Sequence, residues 1–364
     1  MSEFLNSIEV KTDCLYFKGD IPCKPNKEFG YHCQGCPSYK KIEYKILIIK
    51  LGAIGDVIRT TPILRKLRKE YNNAKISWLT LSPDILPKSS VEEILNFELK
   101  NILYIENTHF DVLINLDKDK EACALASKIS AGKKMGYILK NGVPFPVSSL
   151  ANHKYLTGIF DDVSKANKKS YVEEIFEILD WKFENEEYLF DDHEDKGFVW
   201  NLDKNKKYIG LNTGCGDRWT SRLWPNEQWL DLIKILKENG FEPVLLGGAQ
   251  ENEKNKMLSE KSGALYFGYF PLPQFVNLMN QMELIVTQVT MAMHIAVGLK
   301  KTLVLMNNIF NPHEFYLYNR GQIVSPPKEC ECFYRGVCVH GTSCMAQLSS
   351  ETVFKAIVSS LEKS

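Results

Sequence analysis

The chain has 364 residues, 44% hydrophobic and 25% charged, with 45 Lys plus Arg balanced by 45 Asp plus Glu. That length exceeds what one hydrophobic core keeps compact, so two domains are expected. Zero formal net charge argues against a global field for nucleic acid or an anionic membrane, and any anion site must be local.

The first nine residues show no basic region followed by a long apolar run, which speaks against a secretory signal. No segment approaches the roughly 18 apolar residues that span a bilayer. The expectation is a cytoplasmic protein, at most peripheral at the inner membrane through transient surface contact.

Ten cysteines follow a pattern. Four precede residue 40 (Cys14, Cys23, Cys33, Cys36) and four follow residue 329 (Cys330, Cys332, Cys338, Cys344), leaving Cys123 and Cys215 apart. Without a secretion signal, clustered thiols read as metal ligands before disulfides. The Cys33-Gln-Gly-Cys36 spacing suits two thiolates on one tetrahedral ion, with Cys14 and Cys23 completing the set, as structural zinc or an iron centre. A reduced Cys-rich extension is the plainer reading. The second cluster is more loosely spaced and is a weaker candidate for a metal. Neither looks catalytic, because a hydrolytic zinc site usually mixes in His or carboxylate ligands and keeps a position open.

After this lead, strand-like and helix-like stretches alternate. Lys45 to Lys50 predicts a strand, Val57 to Tyr71 a helix, Lys75 to Leu81 a strand, Val91 to Phe97 a helix and Asp111 to Leu116 a strand. Ala122 to Ile129 reads as a helix and Gly136 to Leu139 as a short strand. The stretch from Pro144 to Lys169 is irregular, Tyr171 to Leu179 is helical, and Trp181 to Asp195 is a linker. A second alternation begins at Lys207, with strands at Tyr208 to Asn212, Glu242 to Gly247, Leu284 to Thr287 and Thr302 to Met306. Its helices are Asn226 to Asn239, Glu251 to Glu260, Leu272 to Gln281, Met293 to Gly298 and a closing Ser350 to Glu362. Such βα alternation gives an α/β fold with parallel sheets covered on both faces. The division expected is 1–43 Cys-rich extension, 44–195 and 196–349 Rossmann-like domains, and 350–364 terminal helix.

The junction Ile46 to Arg68 is the most informative stretch: a β-branched run, a small-residue turn through Gly52 and Gly55, then Asp56 at the mouth of a helix. At the carboxyl end of a parallel strand, ligands bind. Asp56 reads either as a carboxylate aimed at substrate or as a helix N-cap. Lys50 and Arg59 flank the turn as candidate acceptor or phosphate contacts, with solvated basic residues as the plain alternative. Thr213, Gly214 and Gly216 follow a strand, where hydroxyl and backbone N–H groups grip phosphate.

Taken in order, Ile46–Arg68, Gly210–Pro225, the Gly247-Gly-Ala-Gln-Glu251 turn, the Met293-His294-Ile-Ala296 helix and the late cysteines resemble the bacterial heptosyltransferases of glycosyltransferase family 9. The resemblance covers roughly residues 44 to 358. It implies a GT-B architecture, two Rossmann-like domains facing a cleft, with acceptor mainly on the first and nucleotide sugar mainly on the second. The implied reaction is inverting transfer of a heptose from ADP-heptose to a hydroxyl, on a lipopolysaccharide core or similar glycan, a glycolipid or a protein. Asp56 matches the family's Gly-Asp pair and is the implied base. Arg222, with Arg218 as a second candidate, falls where a cation binds the diphosphate, and Glu251 matches the carboxylate that takes ribose hydroxyls. His294 is the implied donor contact. Where the family commonly has an acidic residue, this chain has Val289, which cannot accept a hydrogen bond from a sugar hydroxyl. Gln288 or Thr290 substitutes, or the sugar differs, or activity is reduced.

This chemistry needs no catalytic cofactor. A nicotinamide dehydrogenase is disfavoured because the first junction lacks Gly-x-Gly-x-x-Gly, and no Gly-x-Ser-x-Gly elbow is present. The rival is a metal-containing binding protein of the same fold with lost or altered transfer.

Overall fold

The computed structural model describes residues 9–191 and 198–363, apart from the side chains at 217 and 218. By contacts the chain divides into two units. The first holds the described residues up to Gly52, Ile63–Pro83 and Lys88–Ser148; the second holds Ala53–Pro62, Asp84–Pro87 and the chain from Ser149 onward.

In the first unit six strands form one sheet: β1 (Tyr44–Ile49), β2 (Ala74–Thr80), β3 (Glu93–Asn96), β4 (Phe110–Asn115), β5 (Ala131–Lys140) and β6 (Val143–Pro146). Their order is β3-β2-β1-β4-β5-β6, with only β5–β6 antiparallel. β1 needs no alternation, since Ile46, Leu47, Ile48 and Ile49 are all buried, as in a strand covered on both faces. Leu47, Ile49, Leu79, Leu113, Ala122 and Ile129 form the core on one face.

The second unit has a five-stranded parallel sheet of β7 (Lys207–Asn212), β8 (Phe241–Leu246), β9 (Leu284–Gln288), β10 (Thr302–Met306) and β11 (Gly321–Val324). Its order is β11-β10-β9-β7-β8. Trp224, Trp229, Leu232, Leu236, Val353 and Ile357 bring the Asn226–Glu238 and Ser350–Leu361 helices into one core with the sheet. The α/β expectation holds, with parallel sheets in both units.

Several expected elements are corrected. The Val57–Tyr71 helix is two, Ile54–Ile58 and Ile63–Glu70. Between them Thr60 and Thr61 donate their hydroxyls back to the carbonyls of Val57 and Ile58 at 2.7 Å, and Pro62 has no N–H to carry the helix on. The Val91–Phe97 helix is instead strand β3, held by its pairing with β2 and by Glu93, which bonds Lys75 and Ser77. The short strand at Gly136–Leu139 is the end of ten-residue β5, and the stretch after Pro144 contains helices Asn152–Thr157 and Asp161–Ala166. Helix Leu99–Glu106 and strand β11 were not expected. Residues 181–191 form no helix or strand, and the rest of that linker up to 195, like residues 1–8, lies outside the described residues. Among the described residues no helix is long and apolar enough to cross a membrane.

Candidate active site

Strand order reverses once in each sheet, and ligands in open α/β sheets bind in the crevice beyond the carboxyl ends of the strands there. In the second unit the reversal lies between β7 and β9. Beyond it opens a cavity of about 760 Å³, well within the size range of ligand pockets. It is lined by Asp56 and Arg59 from the Ile54–Ile58 helix and its end, by Gly214, Cys215, Gly216, Trp219 and Arg222 after β7, by Glu251 after β8, and by Thr290 and His294 after β9. Phe310, Glu314 and Tyr334 complete the wall.

Asp56 sits in the first turn of its helix, whose N-cap is Ala53 with no side-chain cap bond, so the capping alternative does not describe it. Its carboxylate pairs with Arg59 at 2.7 Å and its side chain is 36% exposed, whereas that of Arg59 is 15% exposed. Arg59 lies over the Tyr171 ring at 3.4 Å. Burial alone would depress the Arg59 guanidinium, but Asp56, Tyr171 and Glu314 more than offset this and hold it above its ordinary range.

His294 packs beneath this helix. A methyl at Gly55 would lie 2.5 Å from its Cδ2, so only glycine permits the approach. Burial, and then the Arg59 charge, push the imidazole down to about 3, against a smaller opposing pull from Asp56, so it is neutral at physiological pH. Its ring stacks with Tyr188, and its buried Nδ1 has no hydrogen-bond partner among the described residues.

Arg222 is in a different electrostatic state. It is buried, its Nη1 donates to the Val289 carbonyl and its Nη2 to the Cys215 carbonyl at 3.0 Å, while its Nε lacks a partner. The guanidinium lies 5.4 Å from the Phe310 ring and 5.9 Å from Trp219. Burial pulls its pKa down, and among the described residues no carboxylate pairs with it. Val289 thus serves this cation through its backbone. The Arg218 side chain lies outside the described residues.

Of the other expected donor contacts, Gly214 and Glu251 are close-packed: a Cβ on Gly214 would fall 2.0 Å from Glu251 Oε1. Glu251 Oε2 also accepts from the Gly248 N–H at 2.9 Å. Thr290 caps the Met291–Gly298 helix by accepting from the Ala292 N–H at 3.2 Å, and it lines the cavity. Gln288 does not line it; its amide nitrogen reaches the carbonyls of Asn212 and Gly214 at 3.2 Å. Thr213 stands behind the wall, donating to Asn255 at 2.6 Å. A second cavity of about 410 Å³ shares Gly214, Cys215, Gly216, Gln250 and Glu251, and adds Lys254, whose Nζ donates to the Thr213 carbonyl at 2.9 Å.

Lys50 is elsewhere, in the first unit, buried against Asp117 at the reversal between β1 and β4. Asp117 also accepts the N–H groups of Leu51 and, at 3.0 Å, Gly52. The sequence reading missed Tyr171, Tyr188, Glu314 and Tyr334. Aromatic residues in a stretch read as linker were the only available signal for Tyr188.

Both thiol clusters lie outside these two cavities, whereas Cys215, which belongs to neither cluster, lines both. Cys332 and Cys338 have their Sγ atoms 3.7 Å apart, and the N–H groups of Cys332 and Val339 point at the Sγ of Cys330 and Cys332, at 3.4 and 3.3 Å. Cys344 Sγ accepts from the Asn308 amide at 3.4 Å. All ten cysteines are free, and among the described residues no three His, Cys, Asp or Glu side chains are already closed around a common ion position.

Comparison with known proteins gives this geometry its context. The family model for glycosyltransferase family 9 (heptosyltransferase) matches residues 101–333, which is more than half of the chain. No curated protein matches. Among solved structures, a family 9 glycosyl transferase from Veillonella parvula superposes with a TM-score of 0.68 at 18% identity, covering 89% of this chain and 98% of that one. The ADP-heptose LPS heptosyltransferase II of E. coli gives 0.64 at 17% identity, covering 88% and 99%. The iron-containing dodecameric glycosyltransferase TibC of enterotoxigenic E. coli gives 0.56 at 12%, covering 88% and 77%. These likenesses establish the GT-B-like fold, and the family match establishes more: the chain belongs to glycosyltransferase family 9, the heptosyltransferase family, and is a glycosyltransferase.

Proposed function

We propose that the chain moves a heptose from ADP-heptose to an acceptor hydroxyl with inversion at the anomeric carbon. The observation that carries this reading is Arg222, a buried guanidinium that among the described residues pairs with no carboxylate, bordering the same cavity as Asp56. A buried cation whose described hydrogen bonds go to carbonyl groups is costly unless an anion completes it, and a diphosphate supplies that anion with bidentate geometry.

In the transfer, Asp56 takes the proton of the acceptor hydroxyl as its oxygen attacks the anomeric carbon. The bond from that carbon to the diphosphate oxygen breaks, and ADP leaves with the electron pair. Arg222 offsets the charge that grows on the leaving group. Arg59 orients the Asp56 carboxylate through their 2.7 Å pair. Glu251 is the ribose contact, and Thr290 with neutral His294 faces the sugar, which gives the donor a hydroxyl contact despite Val289. Thr213 supports the phosphate turn from behind. ADP-heptose is the donor named for the E. coli LPS heptosyltransferase II, and a lipopolysaccharide-like core saccharide is the matching acceptor class.

The transfer as drawn takes no metal. The late cysteines are assigned a structural role: the 3.7 Å separation of Cys332 and Cys338 is near the edge of about 3.8 Å for a tetrahedron with metal–sulfur bonds of about 2.3 Å. TibC is iron-containing, and Cys330, Cys332, Cys338 and Cys344 are the residues that would hold such an ion here. Through Ser221, which bonds the carbonyl of Arg335 at 2.8 Å and accepts at its own carbonyl from Ser343, this loop is tied to the segment that carries Arg222.

The test is incubation with ADP-heptose, alone and with core oligosaccharides, reading ADP release and mass gain of the acceptor. Acceptor-dependent ADP release is expected. A chain that neither binds nor consumes ADP-heptose overturns the proposal and favours a binding protein for another ligand.

A further inference from the structure

Residues 9–43 present a physical problem that the transferase reading does not touch. Of these 35 residues only Pro25 is buried, while Val10, Tyr16, Ile21, Phe29 and Tyr31 are exposed. Regular structure amounts to the six-residue Lys24–Phe29 helix and an isolated bridge between Cys14 and Lys41. A segment this short with no apolar core does not gain enough from burial to offset the entropy of ordering it. Small folds of that kind are held by disulfides or a metal.

The fold nevertheless gathers its four cysteines. The chain doubles back, with the Leu15 N–H bonded to the Lys40 carbonyl at 2.8 Å and the Ile42 N–H to the Asp13 carbonyl at 2.7 Å. This sets Cys14 beside the turn that carries Cys33 and Cys36. That turn runs through left-handed Gly35, and the Cys36 N–H returns to the Cys33 carbonyl at 3.4 Å. Cys23 stands at the N-cap of the short helix. Cys14, Cys23, Cys33 and Cys36, drawn from three separate parts of the segment, all line one small enclosed cavity, together with His32. None of the four is in a disulfide.

We infer that this segment is a metal-stapled module in which Cys14, Cys23, Cys33 and Cys36 bind one zinc ion as a closed tetrathiolate site. The cavity volume is about 20 Å³, and roughly 10–15 Å³ accommodates a single water-sized sphere. The space therefore accommodates a single ion. Four thiolates with no open position is the ligand set of structural zinc. Among the described residues no three of these thiols already stand around one ion position, so binding draws them together and displaces their protons to solvent. His32 borders the cavity without being needed as a ligand. The ion's work is to hold residues 9–43 in front of β1, where the Glu43 N–H bonds the Asn73 carbonyl at 3.2 Å.

The experiment uses the full-length chain purified without oxygen, with Cys330→Ser and Cys332→Ser introduced so that the late cluster does not contribute. Elemental analysis and native mass spectrometry should give close to one zinc per chain. The zinc should be lost on adding Cys33→Ser and Cys36→Ser, and kept with His32→Ala. Chelation should expose residues 9–43 to limited proteolysis while ADP binding by the second unit is unchanged, which separates this inference from the donor-site reading. Where the double serine variant does not fold, zinc content of the parent before and after chelation, with thiol counting, gives the same decision. Reactive thiols at all of Cys14, Cys23, Cys33 and Cys36 with no metal bound, a mass showing two disulfides, or iron in place of zinc would each overturn it.

Discussion

The two sheets reverse their strand order at equivalent places, and the chain treats those places in opposite ways. Between β1 and β4, Lys50 and Asp117 fill the crevice with a buried ion pair whose carboxylate also takes the N–H groups of Leu51 and Gly52. Between β7 and β9 the crevice stays open as a cavity of about 760 Å³, and its buried cation, Arg222, is left with carbonyl partners and an unpaired Nε. A cation that meets its own carboxylate supports the fold. A cation denied one is set up for an anion from outside.

The sharpest way to break this contrast is at the open crevice. Asp56→Ala should lower turnover by about 10²–10⁴-fold, the usual worth of a general base, with ADP affinity unchanged. Steady-state kinetics and titration on the same preparation check it, and substantial residual transfer would remove Asp56 as the base. The closed crevice should respond in stability instead. Asp117→Asn removes the carboxylate charge that Lys50 is buried against and should cost about 3–5 kcal/mol, read as a lower denaturation midpoint, while folded protein still binds ADP.

A third effect concerns pH and is spread over several pH units. The folded chain keeps His294 neutral down to about pH 3, whereas the unfolded chain protonates it below its ordinary value near 6.5. The unfolded state therefore binds the extra proton. The contribution is fully present above pH 6.5 and is lost as pH falls toward 3, on the order of 1 kcal/mol per pH unit. Denaturation of His294→Gln in parallel with the parent should show a shallower acid slope for the variant.

Much of this was legible in the sequence because the chemistry is local. Runs such as Ile46–Ile49 and Leu284–Thr287 declare buried parallel strands, and Asp56, Gly214, Arg222, Glu251, Thr290 and His294 do converge on one cavity. What failed was decided by partners remote in the chain. β3 looked helical because its strand state comes from pairing with β2. Lys50 looked like a phosphate contact because Asp117, 67 residues away, is not visible from its neighbours. Tyr171, Glu314 and Tyr334 reach the wall from elements with no motif of their own. The helix over Val57–Tyr71 was the exception, a local error, since Thr60, Thr61 and Pro62 announce the break.

The central claim, that Arg222 awaits the diphosphate of a nucleotide sugar, is tested most directly by calorimetric titration of ADP into the parent and Arg222→Met, with thermal melts of both. Losing charge-assisted hydrogen bonds should weaken ADP binding by about 10- to 100-fold. The melting temperature should hold or rise, because the variant removes a buried cation that among the described residues has no carboxylate partner. Equal ADP affinity in the two proteins, or weaker binding that merely tracks a fall in stability, would contradict the account.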